Sequence, residues 1–88
     1  GRVTGAEFVE LEVNHEGQVA GRAIKDLDLP RDCVLVSIQR GRGLVLPHGD
    51  TVLQPGDRVV ALVHHDCIDQ LRQAFGLPPE GKPNGTGF

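Results

Sequence analysis

The spacing of apolar positions changes along the chain, and each change marks an element. From Phe8 to Val13, Val9, Leu11 and Val13 alternate with Glu10 and Glu12. Successive side chains of a strand point to opposite faces, so this is a strand with one wet face. Val34, Val36 and Ile38 alternate with Leu35, Ser37 and Gln39 in a second strand, apolar on one face and mixed on the other. Gly41-Arg42-Gly43 then supplies the positive φ that a tight reversal needs. Leu44-Val45-Leu46 pairs back as a hairpin until Pro47, which has no amide to offer a ladder. Pro55-Gly56 has the residues of a type II turn. The run Arg58 to Val63 is unbroken, apolar and β-branched in its middle, the composition of a strand covered on both faces. Its length and its valines disfavour a buried helix.

Two segments carry helical spacing instead. Ala20, Ala23, Ile24 and Leu27 fall at i, i+3, i+4 and i+7 and predict a short helix that ends at Asp28-Leu29-Pro30. Ile68, Leu71 and Phe75 predict a second, with Asp66 as N-cap, Gly76 as the C′ residue and Pro78-Pro79 blocking extension. The expected order is β-α-β-β-β-α: an α+β domain with a mixed sheet and two helices. Residues 1–7 read as a linker, 8–77 as the domain, and 78–88, rich in Gly and Pro, as a disordered tail.

Composition narrows the picture. The 88 residues suffice for one small domain whose stability is thin, which favours help from a partner chain. Hydrophobic residues make up 39% but aromatics only 3%, so Val, Leu, Ile and Ala must build the core. A net charge of −3 and the lack of aromatic stacking platforms argue against a nucleic-acid partner. No apolar run approaches the roughly 20 residues of a membrane helix. Cys33 and Cys67 are too few for a disulfide framework and read as reduced thiols, with a single bridge between them left open.

Candidate chemistry is sparse, and no cofactor is expected. His64-His65-Asp66-Cys67 invites a metal, but adjacent strand histidines point in opposite directions and the spacing matches no common zinc pattern, so no metal is expected. Asp57 in the Pro-Gly-Asp turn reads as a turn-stabilising carboxylate rather than a general base. With no hydroxyl–histidine–carboxylate set, the chain is not expected to be an enzyme. Arg40 and Arg42 flank Gly41; their guanidinium groups suit an anion or equally a solvated hairpin. His48 after Pro47 could donate to a phosphate or be an ordinary exposed loop residue.

Val19-Ala20-Gly21-Arg22-Ala23-Ile24-Lys25-Asp26-Leu27-Asp28-Leu29-Pro30 resembles the first signature of the TrkA-C domain, the C-terminal lobe of the RCK module (regulator of potassium conductance). Val36-Ser37-Ile38-Gln39-Arg40-Gly41, then Pro47, Thr51 and Leu53, then Pro55-Gly56-Asp57, resemble its second signature. The likeness runs from about Phe8 to Phe75. It implies a homodimer on the cytoplasmic face of a membrane, regulating an ion transporter or channel such as a potassium system, a cation/proton antiporter or a chloride-channel-type protein. It also implies a small anionic effector at the dimer interface, cyclic di-AMP being the best-known class, with Arg40, Arg42, Ile38, Val36, Pro47 and His48 as candidate contacts. The alternative is a ligand-free structural dimerisation lobe of a membrane transporter. The Rossmann lobe that usually accompanies this domain is absent from the sequence; Gly41-Arg42-Gly43 joins two strands and opens no helix, so NAD or ATP binding is not implied. The chain reads as an excised fragment of a transporter or as a lobe attached directly to membrane helices.

Overall fold

The computed structural model describes residues 5–15 and 18–79. Residues 1–4 of the linker expected at 1–7, residues 16–17, and residues 80–88 of the tail expected at 78–88 lie outside the described residues. Strand β1 spans Ala6–Glu12, β2 Cys33–Arg40, β3 Gly43–Val45 and β4 Arg58–His64, and helix α1 spans Ile68–Ala74. They form a four-stranded sheet in the order β1-β4-β2-β3. The α+β class is as expected from the sequence.

The sheet, however, is antiparallel throughout rather than mixed. β1 and β2 do run the same way, but β4, the longest unbroken apolar stretch, inserts between them and opposes both. It pairs with β1 from Ala6↔His64 to Glu12↔Arg58 and with β2 from Cys33↔Val63 to Gln39↔Arg58. The β2–β3 hairpin closes on Arg40↔Gly43 through Gly41, whose φ is +59°. Gly first in a two-residue loop is the type II′ pattern, which matches the twist of the flanking strands.

The expected first helix is not formed. Only Ile24–Asp26 makes a single 3₁₀ turn, and Ala23 is extended, bridging Val52. The amides of this segment go sideways instead of back along a helix: Gly21 N donates to Leu53 O (2.7 Å), Ile24 N to Thr51 O (2.9 Å) and Lys25 N to Gly49 O (2.7 Å). Gly21, at φ +83°, breaks the helical run at its start. The apolar stripe still chose the correct inward side chains, since Ala20, Ile24 and Leu27 pack on the core.

The second helix forms as the spacing predicts, with one shift. It is entered through a 3₁₀ turn, His65–Cys67, capped by His64, whose ring Nδ1 accepts the Asp66 amide at 3.0 Å. Asp66 therefore sits inside the turn rather than at the cap. At the other end Gly76 N donates to Gln73 O (3.0 Å) and Leu77 N to Arg72 O (2.8 Å), with Gly76 at φ +72°. That is a Schellman closure.

The core lies between one face of the sheet and α1. Leu11, Ile38, Leu53, Val59, Leu71 and Phe75 are all fully buried there. Among the described residues no element covers the opposite face of the sheet. Val60 and Leu62 of β4 are half-buried by their neighbours alone, whereas a strand apolar on both sides is expected to be covered on both.

Candidate functional site

Val34, Val36 and Ile38 do not share one face as their alternation predicts: Val34 and Val36 are exposed, and the irregularity between Leu35 and Ser37 turns Ile38 to the core side, where Arg40, two residues on, follows it. A guanidinium at the margin of an apolar core requires a counter-charge, and the turn after Pro55 supplies one. Asp57 N donates to Gln54 O (3.0 Å) and Gly56 has φ +91°, so the turn delivers the Asp57 side chain inward. Arg40 Nε donates to Asp57 Oδ1 and Arg40 Nη2 to Asp57 Oδ2, each at 2.9 Å. Nη2 also donates to Val52 O (3.0 Å), and Gln54 N donates to Asp57 Oδ2 (2.9 Å). The carboxylate is 1% exposed and the arginine side chain 31%.

The electrostatics follow from this geometry. The Arg40 hydrogen bonds hold the Asp57 carboxyl below the ordinary carboxylate range against the opposing effect of burial, and the Gln54 amide and the arginine charge add to them. The same contact raises the Arg40 guanidinium above its usual value. Asp57 is thus an ionised, hydrogen-bonded anchor and not a proton acceptor for chemistry.

The candidate contacts do not form one constellation. Arg40 is spent largely on Asp57 and Val52; among the described residues its Nη1 makes no hydrogen bond. Ile38 is 0% exposed and presents nothing to a ligand. Val36 lies exposed on the open face, Arg42 is exposed at the hairpin tip, Pro47 is half-buried, and His48 is exposed in a turn. In that turn His48 N donates to Thr51 Oγ1 (2.9 Å) and Thr51 N to His48 O (3.0 Å). The residue missed as a partner is Asp57. Its signal was the position of Arg40 on the apolar side of an alternating strand.

A shallow depression of about 500 Å3 lies on the open face, lined by Glu10, Ser37, Gln39, Leu44, Arg58 and Val60. Of the charges there, Arg58 Nη1 and Glu10 Oε2 stand 3.6 Å apart, both well exposed, a contact worth little. None of the six candidate contacts lines it.

At the opposite end of β4, His65 Nδ1 lies 3.4 Å from Glu7 Oε2 while His64 turns to the Asp66 amide. No group of three metal-ligating side chains exists among the described residues. Cys33 and Cys67 are both free and partly buried against the core. Burial, and secondarily the neighbouring Cys67, push the Cys33 thiol up.

Comparison with known proteins completes the description. The family model described as the TrkA-C domain matches residues 8–76. A Trk system potassium uptake protein TrkA homolog of Archaeoglobus fulgidus is 40% identical over 72 residues, covering 82% of this chain and 16% of that protein. A homolog of the same description from Pyrococcus abyssi is 33% identical over 70 residues, 78% of this chain and 31% of that protein. The Azorhizobium caulinodans protein described as TrkA is 32% identical over 74 residues, 84% of this chain and 16% of its own length. This chain therefore spans less than a third of the relatives it matches. Among solved structures, an RCK domain described as being with cda superposes with a TM-score of 0.69 at 25% identity, over 77% of this chain and 96% of that one.

Proposed function

This chain belongs to the TrkA-C domain family, and on that premise we propose that it is a non-enzymatic regulatory lobe of a potassium uptake system, acting on the cytoplasmic side of the membrane. It works as a homodimer attached to, or assembled with, a membrane transporter. A small anionic effector of the cyclic di-AMP class binds one dimer arrangement better than another, and that difference in affinity is what biases the transporter. The observation that carries this reading is the likeness, at a TM-score of 0.69, to an RCK domain solved with cda. The potassium uptake relatives give its context. No helix among the described residues is long and apolar enough to cross a membrane, so on this reading the membrane-spanning part belongs to another segment or subunit.

The effector-facing groups on this reading are the free Nη1 edge of Arg40, Arg42 at the hairpin tip and His48. One observation favours the ligand-free dimerisation lobe instead: most of the Arg40 guanidinium is already committed to Asp57. Thermal melting with a panel of nucleotides and cyclic dinucleotides separates the two. A ligand that binds only the folded form raises the midpoint. The expected hit is cyclic di-AMP, with calorimetric affinity falling at least about tenfold in Arg42→Ala, the loss of one charge-assisted contact. A flat panel refutes effector sensing and leaves the scaffold.

A further inference from the structure

We propose that Cys33 and Cys67 are an oxidisable dithiol, a site of reversible modification that a low-molecular-weight disulfide converts to an intramolecular bridge between β2 and the entry to α1. The register places the first of them. Cys33 opens β2 and stands opposite Val63 of β4. The His64 amide donates to Asp32 O at 2.9 Å, one step outside that pair. Cys33 and Val63 are therefore a non-hydrogen-bonded pair, the kind whose Cα atoms approach to about 4.5 Å and whose side chains lie closest. Partners across a strand pair share a face, and Val63 is buried on the core side. Cys33 thus points to the covered face of the sheet, at the end opposite the hairpin.

The turn after β4 places the second. His64 is still extended, and the chain then leaves the sheet through the single 3₁₀ turn His65–Cys67 that leads into α1. Cys67 is the last residue of that turn and precedes the buried Ile68. Both cysteines pack against the same hydrophobic cluster, and both keep part of their surface in solvent, within reach of a small reagent. Burial, and then the Cys67 group, push the Cys33 thiol up, and the second of these effects acts only between neighbours. The turn that carries Cys67 buries none of its residues. It can therefore shift to meet the fixed geometry of a disulfide, while Cys33 is held in the sheet.

The exchange balances. The Cys67 thiolate attacks one sulfur of the small disulfide and releases one small thiol. The Cys33 thiolate then attacks the Cys67 sulfur of the mixed disulfide and releases the second. Two protein thiols are oxidised, one small disulfide is reduced to two thiols, and the two protein protons leave with those thiols. On the cytoplasmic side of a membrane, where this lobe acts on the proposed function, thiols are kept reduced, so the bridge forms on oxidative challenge and is not a permanent staple. The pairing of the two thiols stands without that reading.

Mass analysis of the intact 88-residue chain tests this, after the reduced protein is incubated anaerobically with oxidised glutathione, quenched in acid and alkylated. Wild type is expected to lose two hydrogens, to take up neither glutathione nor alkyl label, and to accept both labels again after dithiothreitol. Peptide mapping should join the Cys33 and Cys67 peptides. The bridge should raise the thermal midpoint by about 10 °C, since it restricts the unfolded chain. By the same linkage, bridging should be at least about tenfold more favourable in the folded chain than in concentrated urea. Cys33→Ser is expected to stop at a glutathione adduct on Cys67, because the resolving thiol is gone; if that variant fails to fold, the wild-type masses decide. A folded wild type that stops at glutathione adducts, links between chains or keeps both thiols open to alkylation overturns the pairing. So does a bridge that forms as readily in urea as in the folded protein.

Discussion

Replacing Arg40 with alanine should cost much of the fold's stability, and the cost should depend on pH. The substitution strands the Asp57 carboxylate, 1% exposed, with only the Gln54 amide as partner. Breaking a buried ion pair from one side costs about 3–5 kcal/mol. Arg40 is 31% exposed, so water screens part of the pair and enters part of the gap, and about 2–4 kcal/mol is the better expectation. A domain of this size holds about 5–10 kcal/mol in total. The sign with pH follows from linkage. In wild type the folded Asp57 pKa is depressed, so its contribution is present above the unfolded value of about 3.9 and is lost as pH falls through the folded value. In Arg40→Ala burial dominates and raises the folded pKa, so the variant regains stability as acid protonates the group. Urea unfolding followed by circular dichroism should therefore show the widest gap near pH 7, narrowing in acid and closing only once pH falls through the depressed folded pKa of Asp57. Asp57→Asn should cost less, about 1–2 kcal/mol, because the arginine left behind can reach water. Equal midpoints for Arg40→Ala and wild type near neutrality, or a gap that does not narrow in acid, would refute this account of the pair.

Further outcomes follow from single positions. Gly56→Ala should lose about 1–2 kcal/mol from backbone strain alone, since φ is +91° there and an added Cβ would meet nothing within 4 Å; thermal melting measures it. Phe75→Ala empties a wholly buried site between helix and sheet and should cost about 3–5 kcal/mol, a large share of the domain's stability, read as a lower urea midpoint by circular dichroism. Below its raised pKa, Cys33 should alkylate more slowly than Cys67, as mass-resolved labelling kinetics will show; faster labelling at Cys33 would contradict its burial.

The strands and turns were legible because each has a local cause. Alternation marked β1 and the existence of β2, though the irregularity between Leu35 and Ser37 puts Ile38 on the face opposite Val34 and Val36; glycine placed the hairpin, and Pro55-Gly56 placed the type II turn that the Gly56 φ bears out. The first helix was not legible as absent. Its stripe of Ala20, Ile24 and Leu27 reports burial at helical spacing, but the Gly21, Ile24 and Lys25 amides found better partners in residues 49–53, and no local pattern records a partner 24 to 32 residues away. The sheet was read as mixed because local pattern says nothing of strand order; only the insertion of β4 between β1 and β2 makes it antiparallel. The candidate site was half legible. Arg40 beside the hairpin glycine and Asp57 in a tight turn were each singled out, and each was assigned a role separately.

Those two observations belong together, and joining them changes what the family resemblance means. Ile38-Gln39-Arg40-Gly41 and Pro55-Gly56-Asp57 both belong to the second signature that the sequence resembles, and they meet in space at the Arg40–Asp57 pair. Gly41 turns the hairpin, Gly56 turns the loop, Ile38 fills the core, and the charge pair closes the core's edge. Each of these residues is accounted for by folding alone. The signature thus identifies the lobe by the parts that build it. The surface this leaves for a partner or ligand is the open sheet face and the exposed tips carrying Arg42 and His48. Substitutions there can alter partner or ligand at little cost to the fold, whereas those at Arg40 and Asp57 change stability first.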